Sequence, residues 1–327
     1  MADLDTPYKR ILTAVDFSPA SEAALHQAVW LARTNHAPLV LAHTLPDLRE
    51  LVTSSSYEAR MDFLYGSGDM IQQEIRKDSD EKLQAMIAKL GVPDLQIRSE
   101  TLLGKPYLSL THAVQKEGYD LVVAGTRGTA TWERFLIGST AKRLIRLCPA
   151  SVWIVKDGRP PVPKVVLAAT DLSPVSRKAL LQGLAVARQA GAEFHLLHVI
   201  DSADVPNDVV EHLPQGSTLR EEINKSAERR LDEFLAGIDA GSLQIRRHLS
   251  WGYSWREIAT LQKHLHADLL VLGTIGRTRI KGLLLGNTAE KVLDTCDCSI
   301  LTVKPDDFVS PIDPPFWPLH PESETKS

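Results

Sequence analysis

The sequence predicts a tandem pair of open, doubly wound α/β domains. Two observations carry that prediction. The chain repeats itself, and within each repeat apolar, strand-like runs alternate with amphipathic helical stretches. Such alternation builds parallel βαβ units with right-handed crossovers.

The repeat is the stronger of the two. RILTAVDFSPASEAAL, from Arg10, is echoed by KVVLAATDLSPVSRKAL, from Lys164. Asp16, Ser18, Pro19 and His43 correspond to Asp171, Ser173, Pro174 and His198 at a constant shift of 155. DLVVAGTRG, from Asp120, matches DLLVLGTIG, from Asp268, at a shift of 148, and Gly104/Gly252, Gly138/Gly286, Thr140/Thr288, Cys148/Cys296 and Lys156/Lys304 keep it. The difference, 155 − 148 = 7, places a seven-residue excess in the first copy between His43 and Gly104. The boundaries follow: residues 1–156 form the first domain, 157–163 (DGRPPVP) a short stiff linker, and 164–304 the second domain. Residues 305–327 are proline-rich without helical or strand periodicity, and are expected to be a flexible tail.

In the first copy the predicted strands are Ile11–Val15, Leu39–His43, Leu95–Leu102, Leu121–Ala124 and Ser151–Val155. The first and fourth are nearly continuous apolar runs, as strands covered on both faces require. A helix is predicted over Pro19–Thr34, with Leu25, Val29 and Ala32 on one stripe, and another over Ile71–Leu90. Ser18 before Pro19 is a helix start, a hydroxyl cap followed by the one imino acid suited to the first turn. Each copy ends in an apolar strand, Ser151–Val155 and Ser299–Val303, expected at its sheet edge. Exposed edges of this kind invite pairing.

Bulk properties exclude several functions. A net charge of −4 supplies no positive field for direct nucleic-acid binding. No apolar run is long enough for a membrane span, and the polar N-terminal stretch MADLDTPYKR does not read as a signal peptide. The cysteines are Cys148, Cys296 and Cys298, an odd count that predicts reduced thiols and a cytoplasmic location. Cys296 and Cys298 have no second pair with zinc-ligand spacing, so no metal site is expected there.

Open sheets bind ligands beyond the carboxyl ends of their strands. There the first copy carries Gly125-Thr126-Arg127-Gly128, nine residues, then Gly138-Ser139-Thr140 opening a helix. Glycines let backbone amides approach a ligand, and a helix N-terminus favours phosphate oxygens. The Ser139 and Thr140 hydroxyls add donors, and Arg127, Lys142 and Arg143 are near enough in sequence to reach a polyphosphate. The plain alternative is a strand-to-loop turn followed by a helix cap. The second copy offers Gly273, Gly276, Gly286, Asn287 and Thr288, with Ile275 in place of Arg127. Arg277, Arg279 and Lys281 are nearby cations that could substitute. Asp16 and Asp171 end the first strands and read either as Asx turns or as ligand contacts.

The spacing G-x2-G-x9-G-S/T resembles the fingerprint of the universal stress protein family, over roughly residues 8–156 and 163–304. That resemblance implies a Rossmann-like, adenine nucleotide α-hydrolase-like fold with a five-stranded parallel sheet in each copy. It implies ATP across the strand-one/strand-four crevice, with Asp16 or Asp171 at the nucleoside, the backbone of Thr44 or Val199 at adenine, and the glycines and hydroxyls at phosphate. Mg²⁺ is expected to ride on the phosphates, aided by Ser139. The resemblance also implies joining of the copies through their last strands as an internal pseudo-dimer, with a homodimer as a further option. No Walker lysine or nucleophile–base pair is present, which points to regulatory binding in a stress response rather than turnover. Two alternatives stand beside this one: an adenylating enzyme, for which Asp16-Phe17-Ser18-Pro19 is the wrong loop, and a scaffold with vestigial sites.

Overall fold

The computed structural model describes residues 6–53, 68–126, 137–201, 212, 214–276 and 284–313. The first copy runs β1 (Ile11–Ala14), α1 (Pro19–Thr34), β2 (Leu39–Leu45), α2 (Leu48–Thr53), α3 (Gly68–Leu90), β3 (Ile97–Leu103), α4 (Pro106–Glu117), β4 (Leu121–Gly125), α5 (Ser139–Leu147) and β5 (Ser151–Val155). The second runs β6 (Val165–Thr170), α6 (Pro174–Ala190), β7 (Glu193–Ile200), α7 (Thr218–Leu235), β8 (Ile245–Trp251), α8 (Ser254–Leu265), β9 (Leu269–Gly273), α9 (Asn287–Thr295) and β10 (Ser299–Val303). The strand predicted from Leu95 begins at Ile97. The helix over Pro19–Thr34 is as predicted, and Ser18 accepts from the Ser21 amide at its start.

Among the described residues the strands join one ten-stranded sheet in the order β3-β2-β1-β4-β5-β10-β9-β6-β7-β8. Within each copy the five strands pair parallel. Between copies β5 and β10 pair antiparallel, with Val152 opposite Thr302, Trp153 opposite Leu301 and Ile154 opposite Ile300.

Strand alternation sends side chains to two cores. Ile11, Leu39, Leu121, Val123 and Trp153 pack on the α1/α3 face together with Val166, Leu269 and Leu301 of the second copy. Leu12, Val40, Val122, Val152 and Ile154 pack on the α4/α5 face, together with Leu167, Leu270 and Ile300. Both cores run through both copies, which explains the uninterrupted apolar strands. At the opposite end from the predicted ligand crevice, Asp120 accepts from the Lys9 and Arg10 amides at 2.7 and 3.1 Å. Asp268 does the same for Lys164 and Val165 at 2.8 and 3.2 Å, so the repeated aspartates fix where β1 and β6 enter the sheet.

Residues 305–313 differ from the free tail expected there. They cross to the first copy, where Gln115 Nε2 donates to the Ile312 carbonyl and His112 Nε2 meets the Asp313 carbonyl, both at 2.9 Å. Phe308 packs against Lys304, whose Nζ lies 4.0 Å from the ring centroid. These contacts involve side chains of α4 far away in sequence, and no local periodicity announces them. The rest of the tail lies outside the described residues. No helix among the described residues is long and apolar enough to cross a membrane.

Candidate functional site

Both crevices open at the carboxyl ends of the central strands, where β1 and β4, or β6 and β9, send their chains to opposite faces of the sheet. Asp16 leaves β1 and accepts from the Ser18 amide at 3.1 Å and the Ser18 hydroxyl at 2.5 Å. Asp171 accepts from the Ser173 amide at 3.0 Å. Each aspartate thus forms an Asx turn into α1 or α6. The residue between, Phe17 or Leu172, sits at φ 62° or 66°. Left-handed backbone is costly for a bulky side chain, and its recurrence in both copies marks a constrained position.

His43 and His198 tie the second strands to the ends of the first. His43 Nδ1 lies 2.7 Å from the Val15 carbonyl, and His198 Nδ1 lies 3.0 Å from that of Thr170. A carbonyl only accepts, so each Nδ1 carries the proton. The next residues, Thr44 and Val199, stand in β2 and β7, and Val199 lines the second-copy cavity.

The glycines divide into two kinds. A Cβ on Gly125 would lie 2.6 Å from the Ala20 carbonyl, and one on Gly273 would lie 2.9 Å from Val175 Cγ1. These two let the first helix of each copy pack down on the fourth strand, a structural duty. Gly276 is different: its Cβ would lie 2.7 Å from Asp171 Oδ2, so its bareness leaves room for the carboxylate at the crevice. Gly138 and Gly286 are the caps of α5 and α9, and neither helix has a side-chain cap bond. Their own amides donate back to Thr126 and Thr274 carbonyls at 2.6 and 2.7 Å, closing the base of each loop. The amides left to face a ligand are therefore those of the first helical turn, Ser139-Thr140 and Asn287-Thr288.

In the second copy a cavity of about 360 Å³ brings together all seven positions singled out in sequence: Asp171, Val199, Gly273, Gly276, Gly286, Asn287 and Thr288. They come from four separate stretches of chain. In the first copy Asp16, Thr44, Gly125, Gly138, Ser139 and Thr140 occupy the repeat-equivalent positions, while Arg127 and Gly128 lie outside the described residues. Arg277, Arg279 and Lys281 lie outside them too.

Two cations expected at the phosphates are engaged elsewhere. Lys142 pairs with Asp294 of the second copy at 2.6 Å, and the Arg143 guanidinium lies over Tyr107, 4.7 Å from the ring centroid. Sequence reading also missed Asp201 and Ser254, which line the second cavity and hydrogen-bond each other. Their counterparts are Pro46 and Pro106, so looking for what the two copies share passes over them. The aromatic cluster Trp251, Tyr253 and Trp255 lies under cations: Arg220 over Trp251 and Arg256 over the other two rings. The three thiols are buried and unbridged. Burial pushes Cys148 up to about 12 and Cys296 up to about 11, leaving them unreactive at neutral pH.

A parallel open sheet with an Asx-turn aspartate, close-packed glycines and a glycine-started helix around one crevice is an open-sheet α/β domain. Such a domain occurs here twice. The model of the universal stress protein family matches residues 7–156 and 163–304, and the chain belongs to that family. It is 26% identical to universal stress protein E of Salmonella typhi over 330 residues, covering 94% of this chain and 97% of that protein. The Escherichia coli K12 universal stress protein E is likewise 26% identical, over 94% of this chain and 97% of its own length. Among solved structures, a universal stress protein from Archaeoglobus fulgidus superposes with a TM-score of 0.61 at 19% identity, over 90% of this chain and 98% of that one. A functionally unknown protein from Pseudomonas aeruginosa PAO1 gives 0.62 at 20% identity, over 92% and 94%.

Proposed function

We propose that the protein is a regulatory adenine-nucleotide-binding protein whose signal is ATP occupancy rather than turnover. The observation that carries this reading is the convergence of Asp171, Val199, Gly276, Gly286, Asn287 and Thr288 on one cavity. Its size falls within the range of small-molecule sites, with apolar walls and a few convergent polar groups. In this reading Asp16 and Asp171 accept from ribose hydroxyls, and Thr44 and Val199 offer backbone to the base. The first-turn amides of α5 and α9, with Ser139, Thr140, Asn287 and Thr288, receive the phosphates. The glycine caps of these helices suit an anion, since it would satisfy first-turn amides that the cap residue has no side chain to reach. Mg²⁺ carried by the phosphates would meet the Ser139 hydroxyl in the first copy.

Binding without rapid turnover rests on the side chains present. Asp171 accepts from the Ser173 amide and Asp201 from the Ser254 hydroxyl, with no histidine or lysine among the described lining residues. The hydroxyl–carboxylate contact of Ser254 with Asp201 is a weak pair for activating a nucleophile, since a carboxylate alone is a poor base for a serine hydroxyl. Mass analysis of nucleotide that co-purifies, followed by equilibrium dialysis with ATP, tests the reading. Micromolar ATP binding is the expected result. Multiple-turnover hydrolysis near an ordinary enzyme rate, about ten per second, would sink it.

A further inference from the structure

We propose that the contact between α5 and α9, with the strand junction beneath it, is an interface that admits only unlike copies. Neither half of the chain can pair there with its own kind.

The junction has an internal pseudo-two-fold relation. The register places Val152 against Thr302 and Ile154 against Ile300, and these pairs exchange under the repeat shift of 148. Trp153 and Leu301 are each other's equivalents (153 + 148 = 301) and face each other, so they sit on the axis. Both are fully buried. Pairing of two first copies would bring Trp153 against a second tryptophan in space shaped for Trp plus Leu. Pairing of two second copies would oppose two leucines and leave a gap. Overpacking and cavities are both destabilising in a dense core.

Charge enforces the same choice. Lys142 pairs with Asp294 at 2.6 Å, and Arg146 pairs with Glu290. Under the same shift Lys142 is equivalent to Glu290, and Arg146 to Asp294. A contact between positions 142 and 146′ and its mirror image would therefore unite Lys with Arg twice in a pair of first copies. In a pair of second copies it would unite Glu with Asp twice. One exposed ion pair is worth little. Turning both pairs repulsive while misfitting the axis is a different matter, because specificity is a difference between the right pairing and the wrong one.

The partner this face fits is thus a domain with acids at the two α9 positions and a leucine on the axis. A second first copy is rejected. The test keeps the whole chain, with a protease site placed at the exposed turn Asp157-Gly158 and cut after folding. Native mass spectrometry of the cut protein, mixed with isotope-labelled cut protein, should show only unlike pairs. In K142E/W153L, position 142′ becomes complementary to Arg146 and the axis is relieved, so pairs of first copies should appear. As a second measurement, uncut K142E/R146E should melt about 3 °C lower at low salt, and K142E/R146E/E290K/D294K should recover most of that loss. Like pairs in the cut parent protein, or no recovery in the fourfold exchange, would overturn the proposal.

Discussion

Phe17 and Leu172 hold the same left-handed backbone, φ 62° and 66°, each one residue beyond the aspartate of its crevice. The Asx turn accounts for it: the chain must swing so that the amide two residues on reaches Asp Oδ1, then enter a helix at once. Asparagine tolerates this region and β-branched residues resist it. Leu172→Asn should therefore stay within about 0.5 kcal/mol of the parent despite losing apolar contact, because strain is relieved. Leu172→Val should lose about 2 kcal/mol although it is chemically closer. Urea denaturation of the two variants decides between these outcomes.

Glycines of the two kinds respond differently to one methyl group. Gly125→Ala forces a Cβ to 2.6 Å from the Ala20 carbonyl, which is backbone and cannot step aside. A loss of about 2–3 kcal/mol is expected, read as a lower melting temperature. Gly286→Ala meets its nearest atom, the Thr274 carbonyl, at 3.4 Å, and should change stability little. If the two alanine variants melt alike, the packing role assigned to Gly125 is wrong.

Aspartate at the helix starts separates ligand binding from folding. Gly138→Asp and Gly286→Asp each put a good capping residue where none acts now, so stability should hold. Each also puts negative charge where phosphate is proposed to sit. In the full chain, Gly286→Asp isolates the first site and Gly138→Asp the second. The first site is expected to bind ATP about tenfold more tightly. The second has Ile275 for Arg127 and adds Asp201 where the first copy has proline. Calorimetric titration giving equal residual affinities would show that backbone amides alone set the strength.

Lys304 makes the junction pH-dependent. It is buried, with its Nζ donating to the Arg146 carbonyl at the end of α5 at 3.0 Å, and burial lowers its pKa to about 7. In the unfolded chain it titrates near 10.5. Between these values the unfolded chain binds the extra proton, so this residue's contribution to stability rises with pH and is lost as pH falls toward 7. Over pH 7.5–9 the parent should gain about 1 kcal/mol per pH unit from this group, a slope that Lys304→Met removes. Melting curves across that range check it, and parallel profiles for parent and variant would refute the assignment.

The repeat, the strands and the placing of the glycine stretches beyond the fourth strands were legible because they rest on local patterns: period, punctuation and equal spacing. Val199 entered only through the family resemblance. What sequence did not disclose depends on partners far along the chain. Lys142 turns to Asp294, the Gly138 amide is taken by Thr126, and residues 305–313 find α4 of the other copy. Asp201 and Ser254 escaped for the reverse reason, since the repeat directs attention to what the copies share.

The antiparallel seam between β5 and β10 also imposes a schedule on synthesis. Val155 is made 148 residues before Val303 (303 − 155 = 148). At about 5–20 residues per second, the first copy waits about 7–30 s with a bare apolar edge. During that interval, on a polysome, neighbouring nascent chains present the same bare strand to one another at close range. A seam that discriminates against its own likeness keeps those half-made molecules apart until each receives its own second half.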